Sequence, residues 1–374
     1  VALSSNNTVD NTSGLIQALD GSSVELGSNS AVVNTGGLIQ ALDGSSVELG
    51  NNAIIADGRL STTGTGVISV ISSSYNSSAR LTNVTNEGRI EVQNGDGLTL
   101  EGTITNSGSI GLSSSAGSGY LHIDDGATLT LTGSGALAVD GGTYVDNRSN
   151  SSDPVDAVTL INDTGHRIRG AQDGGIGTLS LDNAVTLVNR GLIQADSGDT
   201  VALSGMQPID NTAGRIDAQD GSAVAIRSNT SISGGLLSTA GTGVISVTSS
   251  AYSNSARLTD VTNEGRIELQ HYDGLTLEGT TTNDGTIGLN SSAGYGYLHI
   301  DDGGTATLSG AGALVVDGTT YVDNRSNSSD PVDAVTLIND TDHRIRGAQD
   351  GGTATLSMDN NVTLVNRGLI QADS

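Results

Sequence analysis

NTSGLIQALDGSSVELG, residues Asn11–Gly27, returns almost unchanged as NTGGLIQALDGSSVELG, residues Asn34–Gly50. Residues 11–33 are in effect duplicated as 34–56. The matching stretch further on, NTAGRIDAQDGSAVAIR at Asn211–Arg227, stands alone. One half of the chain therefore carries a whole segment that the other lacks. A globular core does not absorb such an insertion, whereas a stack of interchangeable coils does.

A longer repeat frames this one. Residues 60–197 and 237–374 align without a gap at an offset of 177, with 113 of 138 positions identical. The organisation expected is one continuous solenoid over 1–374, with repeat block 1 at 1–197, including the extra coil, and repeat block 2 at 198–374. Ser374 corresponds to Ser197, which Gly198-Asp199-Thr200 joins to Val201-Ala202-Leu203-Ser204, and the chain opens Val1-Ala2-Leu3-Ser4. That closure suggests a window on a longer repetitive protein, or ends that stack head to tail. Val1–Asn11 has neither a basic nor an apolar segment of the kind a signal peptide needs.

Within the blocks a shorter motif, Asn-x-Gly-x-Ile, recurs with its Asn and Gly at Asn86 and Gly88, Asn106 and Gly108, Asn189 and Gly191, Asn263 and Gly265, Asn283 and Gly285, and Asn366 and Gly368. A variant with one added residue gives Asn211 and Gly214, and others begin at Asn11 and Asn34. Between anchors the apolar residues alternate, as in GRIEVQNGDGLTLEG at Gly88–Gly102. That is the pattern of short half-buried strands. Asn-Gly and Asp-Gly are also hairpin signals, but hairpins do not return an Asn and a Gly at one fixed place per repeat.

The fold expected is all-β, a right-handed parallel β-helix with coils of about 20–23 residues, roughly 17–18 coils in all. The Asn side chains are expected to bond from coil to coil as a ladder, from left-handed turn geometry. The Gly two places on is expected to take backbone angles closed to other residues.

The series VTNEGRIEV, ITNSGSIGL, LVNRGLIQA and NTAGRIDA resembles the coils of filamentous haemagglutinin-like adhesins and autotransporter passengers. The resemblance spans nearly the whole chain on short, degenerate motifs. It implies a secreted or cell-surface, right-handed β-helix. The Asn-Pro-Asn-Gly secretion motif of such proteins is absent from this sequence, so the resemblance is to shaft coils alone.

Composition narrows the chemistry. The chain of 374 residues has 41 acidic against 15 basic residues, a formal charge of −26, no Cys, no Trp, no Phe and 53 Gly. All 15 basic residues are Arg. Lysine-based phosphate loops and Schiff bases are excluded, as are disulfides, thiolate nucleophiles and cysteine metal sites. The charge opposes nucleic acid. No apolar run is long enough for a transmembrane segment.

Three clusters offer chemistry. In Tyr120-Leu-His-Ile-Asp124, and its copy at Tyr297, strand alternation puts His122 beside Asp124 as an acid–base pair. The plainer reading is a solvated strand face. His166-Arg167-Ile168-Arg169, copied at His343–Arg346, reads as exposed residues balancing an acidic surface. The irregular stretch Asp146–Asp156, copied at Asp323–Asp333, offers oxygen ligands for calcium from Asp146, Asn150 and Asp153, and from Asp323, Asn327 and Asp330. Its spacing fits no known calcium loop, so a plain loop is the simpler reading. No other cofactor is expected, and no catalytic residue is assigned. The function expected is a structural shaft of a secreted or cell-surface adhesin or extracellular fibre. Its partners would be other copies of itself, and host or neighbouring-cell surfaces or glycans. The alternative is a β-helix enzyme acting on polysaccharide.

Overall fold

The structure, a computed structural model, describes residues 1–374 except 4–5, 73–76, 94, 113–117, 149–155, 183, 250–253, 271, 326–332, 349–352, 359–360 and 373–374, and the side chains of 290–294. It divides into two compact units, Val1–Ile193 and Gln194–Ser374. The division falls close to the edge between the repeat blocks. Each unit is a parallel β-solenoid, and the two hold about 14 coils between them, with 63% of residues in strands and 1% in helix.

The coils near the start of the chain contribute three short strands each, whereas elsewhere neighbouring strands run together, as in Gly97–Asn106 and Thr286–Asp301. In the first unit Leu15–Ala18, Ser23–Leu26 and Ala31–Val33 make one circuit, and Leu38–Ala41, Ser46–Leu49 and Ile54–Ala56 make the next. The tandem copies lie on one another residue for residue. Leu15 pairs with Leu38, Ile16 with Ile39, Gln17 with Gln40, Ser23 with Ser46 and Leu26 with Leu49, always in parallel.

Alternation explains which residues face inward. Ile39, Ala41, Val47 and Leu49 are buried while Leu38, Gln40, Ser46 and Glu48 are half-exposed. Each fully buried Leu or Ile stabilises by roughly 1.5–3 kcal/mol. A column of small aliphatics leaves no need for Phe or Trp.

The Asp-Gly pairs show why the hairpin signal misleads. Asp20 and Gly21 both have positive φ, 55° and 71°, and Ser22 N–H donates to Leu19 C=O at 3.1 Å. This is the primed turn that hairpins favour. Here it forms a corner between Leu15–Ala18 and Ser23–Leu26, whose partners are strands of neighbouring coils.

Coil length departs from expectation. Ile68 pairs with Ile90 and Ile90 with Ile110, which are short circuits close to the anchor spacing. Ile110 then pairs with Leu137, and Leu137 with Ile168, so the next two circuits are markedly longer. The second unit repeats this, with Ile287 on Leu314 and Leu314 on Ile345. The long coils contain 113–117 and 149–155, so the coils are fewer and longer than the 17–18 expected from the anchor spacing. No helix among the described residues is long and apolar enough to cross a membrane.

Candidate functional site

Buried Asn side chains form an internal hydrogen-bonded ladder. Thr85–Asn86, Gly97–Asn106, Val158–Asn162 and Val185–Asn189 each end on an Asn that is fully buried. Asn86 Nδ2 donates to Asn106 Oδ1 at 2.8 Å, and Asn162 Nδ2 donates to Asn189 Oδ1 at 2.6 Å. Each Nδ2 also reaches a backbone carbonyl, as from Asn106 to Ala136 at 3.1 Å. Asn11 and Asn34 make the same link at 2.6 Å. In the second unit Asn263 donates to Asn283 at 2.7 Å and Asn339 to Asn366 at 2.6 Å. Asn211 is likewise buried, and the N–H of Gly214 closes a turn on its carbonyl at 2.8 Å.

Between Asn106 and Asn162 one rung has no Asn. The strand Thr128–Thr132 is followed by Gly133, whose φ is +95° and where a Cβ would lie 2.4 Å from the Asn106 carbonyl oxygen. His166 fills the gap from the next coil. Its Nε2 lies 3.0 Å from Asn106 Nδ2 and its Nδ1 lies 2.7 Å from Asn162 Oδ1. An amide N–H donates and an amide oxygen accepts, so Nε2 is the acceptor and Nδ1 carries the hydrogen. The chain Asn86, Asn106, His166, Asn162, Asn189 thus points every donor the same way. His343 does the same between Asn283 and Asn339, at 3.1 and 2.6 Å.

Both imidazoles are buried, correcting the exposed surface expected for them. Burial lowers the pKa of each to about 4. A protonated ring would also aim an N–H at the Asn106 amide N–H. The flanking Arg167 and Arg344 are exposed, as expected of a surface cluster.

The ladder Asn and Gly residues owe their places to something other than left-handed angles. None of them is among the positive-φ residues. Asn86, Asn106, Asn189, Asn263 and Asn283 are buried strand ends, where the amide faces inward. At Gly108 and Gly285 a Cβ would lie 1.9 Å from the carbonyl oxygen of Gly88 or Gly265 in the coil below. Gly88 and Gly265 press on the backbone at Thr62 and Thr239, and Gly191 and Gly368 on the carbonyls of His166 and His343. Close stacking of backbones excludes a side chain there.

The sequence pair His122 and Asp124 is not brought together. Asp124 accepts from both terminal guanidinium nitrogens of Arg80, which Glu101 also contacts at 3.2 Å. His122 is fully buried, not solvated, and its Nδ1 donates to Asp146 Oδ1 in the next coil, with Tyr120 stacked on the ring at 6.0 Å. Gly97 makes room for the ring, since a Cβ there would lie 2.6 Å from Nε2. His299 and Asp323 repeat the arrangement.

Asp146 and Asp323 therefore belong to strands, Gly141–Arg148 and Ala313–Arg325, and serve a histidine. The other calcium candidates, Asn150, Asp153, Asn327 and Asp330, lie outside the described residues. Among the described residues no three His, Cys, Asp or Glu side chains form a group able to hold a metal ion. Comparison with known proteins adds no relative: no family model matches the chain and no curated protein does.

Proposed function

We propose that the chain is a structural shaft segment of a secreted or cell-surface repetitive adhesin or extracellular fibre. The observation that carries this reading is the register of the tandem copy, in which each strand of residues 11–33 lies on its equivalent in 34–56, identical residue on identical residue at Leu15–Ala18 and Ser23–Leu26. Adding sequence there means adding a coil, with no other part of the first unit rearranged. A protein selected for reach or for repeated surface gains from that property. The acidic, hydroxyl-rich outer faces are the surface offered to cell surfaces or glycans, and coil edges are the surface offered to further copies.

Electron microscopy of native material tests the proposal. Unbranched fibres with an axial repeat near the strand spacing, about 4.8 Å, are expected. Separate particles with no axial repeat would sink the fibre reading.

The rival is a β-helix enzyme acting on polysaccharide, for which the His122–Asp146 pair is the strongest support. Both side chains are buried beneath a stacked Tyr, which favours a packing role. Chain cleavage of a polysaccharide panel that is lost in His122→Gln would establish the rival instead.

A further inference from the structure

All six tyrosines among the described residues sit in two places, one per unit, and the two places differ. In the first unit Tyr120 and Tyr144 stack across successive coils, with ring centroids 5.7 Å apart and planes 22° apart. In the second unit the equivalent pair Tyr297 and Tyr321 stacks in the same way, at 5.9 Å and 22°. Block 2 adds two more. Tyr272 stands where block 1 has Gly95, and Tyr295 where it has Ser118. The N–H of Tyr272 donates to the Tyr295 carbonyl at 2.8 Å, so all four lie on adjoining coils.

Tyr295 is not one more member of the stack. The register between its strand and the next shifts between Ser291 and Tyr295, which leaves it opposite Thr319. Its ring comes to rest against Tyr321 at 5.2 Å, with the planes 57° apart. Tyr295 is 43% exposed. A biaryl bond holds its two rings twisted, neither stacked nor coplanar, with centroids slightly closer than this pair. The stacked pairs would have to swing a ring out of its contact to reach that geometry.

We infer that Tyr295 and Tyr321 form a site of oxidative coupling, giving an ortho–ortho dityrosine that staples successive coils of the second unit. A one-electron oxidant is the co-reactant. Each phenol gives one electron to the oxidant and its proton to solvent. The two phenoxyl radicals join through a carbon–carbon bond ortho to each oxygen, and the ring hydrogens displaced there return to the phenol oxygens. The product is the chain less two hydrogen atoms. In a chain with no Cys this is a covalent tie that stacking alone does not supply. The inference does not depend on the shaft reading.

The test is oxidation of the full chain at low concentration with photogenerated ruthenium(III), read by dityrosine fluorescence, which no Trp obscures here, and by peptide mapping. A within-chain link joining the Tyr295 and Tyr321 peptides is expected. Its yield should fall at least about fivefold in Tyr295→Ser or in urea, because proximity sets the coupling rate. Tyr295→Ser installs the residue that block 1 already carries, so the variant is expected to fold, and circular dichroism checks this. Tyr272→Gly should keep most of the yield. Absence of dityrosine, links between chains only, links at other pairs, or equal yield in folded Tyr295→Ser would each overturn the assignment.

Discussion

His166 and His122 are both wholly buried in the first unit, yet they live in opposite surroundings. His166 lies between two amides and continues a one-way chain of hydrogen bonds as if it were a long Asn. His122 faces a carboxylate, Asp146, and leans on a tyrosine. The difference shows that burial alone does not set what an imidazole does in a solenoid. The partner that another coil presents to it does, Asn106 in one case and Asp146 in the other, and neither is a near neighbour in sequence.

The largest effect should come from cutting the amide chain. Asn106→Leu removes the donor to His166 and to the Ala136 carbonyl, and the acceptor for Asn86, while those groups stay buried. At about 1–3 kcal/mol for each stranded group, a loss of at least about 3 kcal/mol in chemical denaturation is expected. A loss below about 1 kcal/mol would mean that water replaces the ladder.

Acid should distinguish the two histidines next. The pKa of His166 and of His343 is about 4 in the folded protein, below the usual 6.5, so the unfolded chain takes up a proton first as the pH falls. These sites cost nothing above pH 6.5. Stability then drops between pH 6.5 and 4, and the cost stays constant below 4. The drop is about 3 kcal/mol for His166. In His166→Gln, melting temperatures over that window should lose about half of the slope these two sites create, His343 supplying the rest. An unchanged slope would contradict the neutral, amide-bound ring.

The smallest effect belongs to the carboxylate. Asp146→Asn keeps the shape and an acceptor for His122 Nδ1, exchanging a charge-assisted bond for a neutral one. A loss of about 1 kcal/mol is expected. If this change proved as costly as Asn106→Leu, the two sites would not differ in the way their partners suggest.

Much of this architecture can be read in the sequence. The echo of Asn11–Gly27 at Asn34–Gly50 reveals interchangeable coils, and Asn86, Asn106, Asn263 and Asn283 fall where a ladder requires them. The long coils hide because their added residues carry no anchor motif, so spacing alone undercounts the length of a turn. Asn162 and Asn339 escape notice because no Gly follows two places on, although VTLIN at Val158–Asn162 matches VTLVN at Val185–Asn189. His166 looks like part of a basic surface because its role depends on Gly133, the rung that lacks an Asn, one coil earlier. The pairing of His122 with Asp146 across coils is likewise invisible to strand alternation, which offers Asp124 instead.

A coil here is a removable unit. Deleting residues 34–56 joins Val33 to Asp57 and should bring Leu15–Ala18 directly under Arg59–Thr62, the strand that now pairs with Leu38–Ala41. Gln17 and Ser61, now two coils apart with Gln40 between them, would become neighbours. The chain has no Cys, so Gln17→Cys with Ser61→Cys reports on this directly. Two strand spacings, about 9.6 Å, are too far for a disulfide, while one spacing of about 4.8 Å lies within its reach. Rapid disulfide formation in the folded deletion variant, and none in the full-length chain, is the result expected. Equal oxidation in both, or a deletion variant with no strand signal, would contradict it.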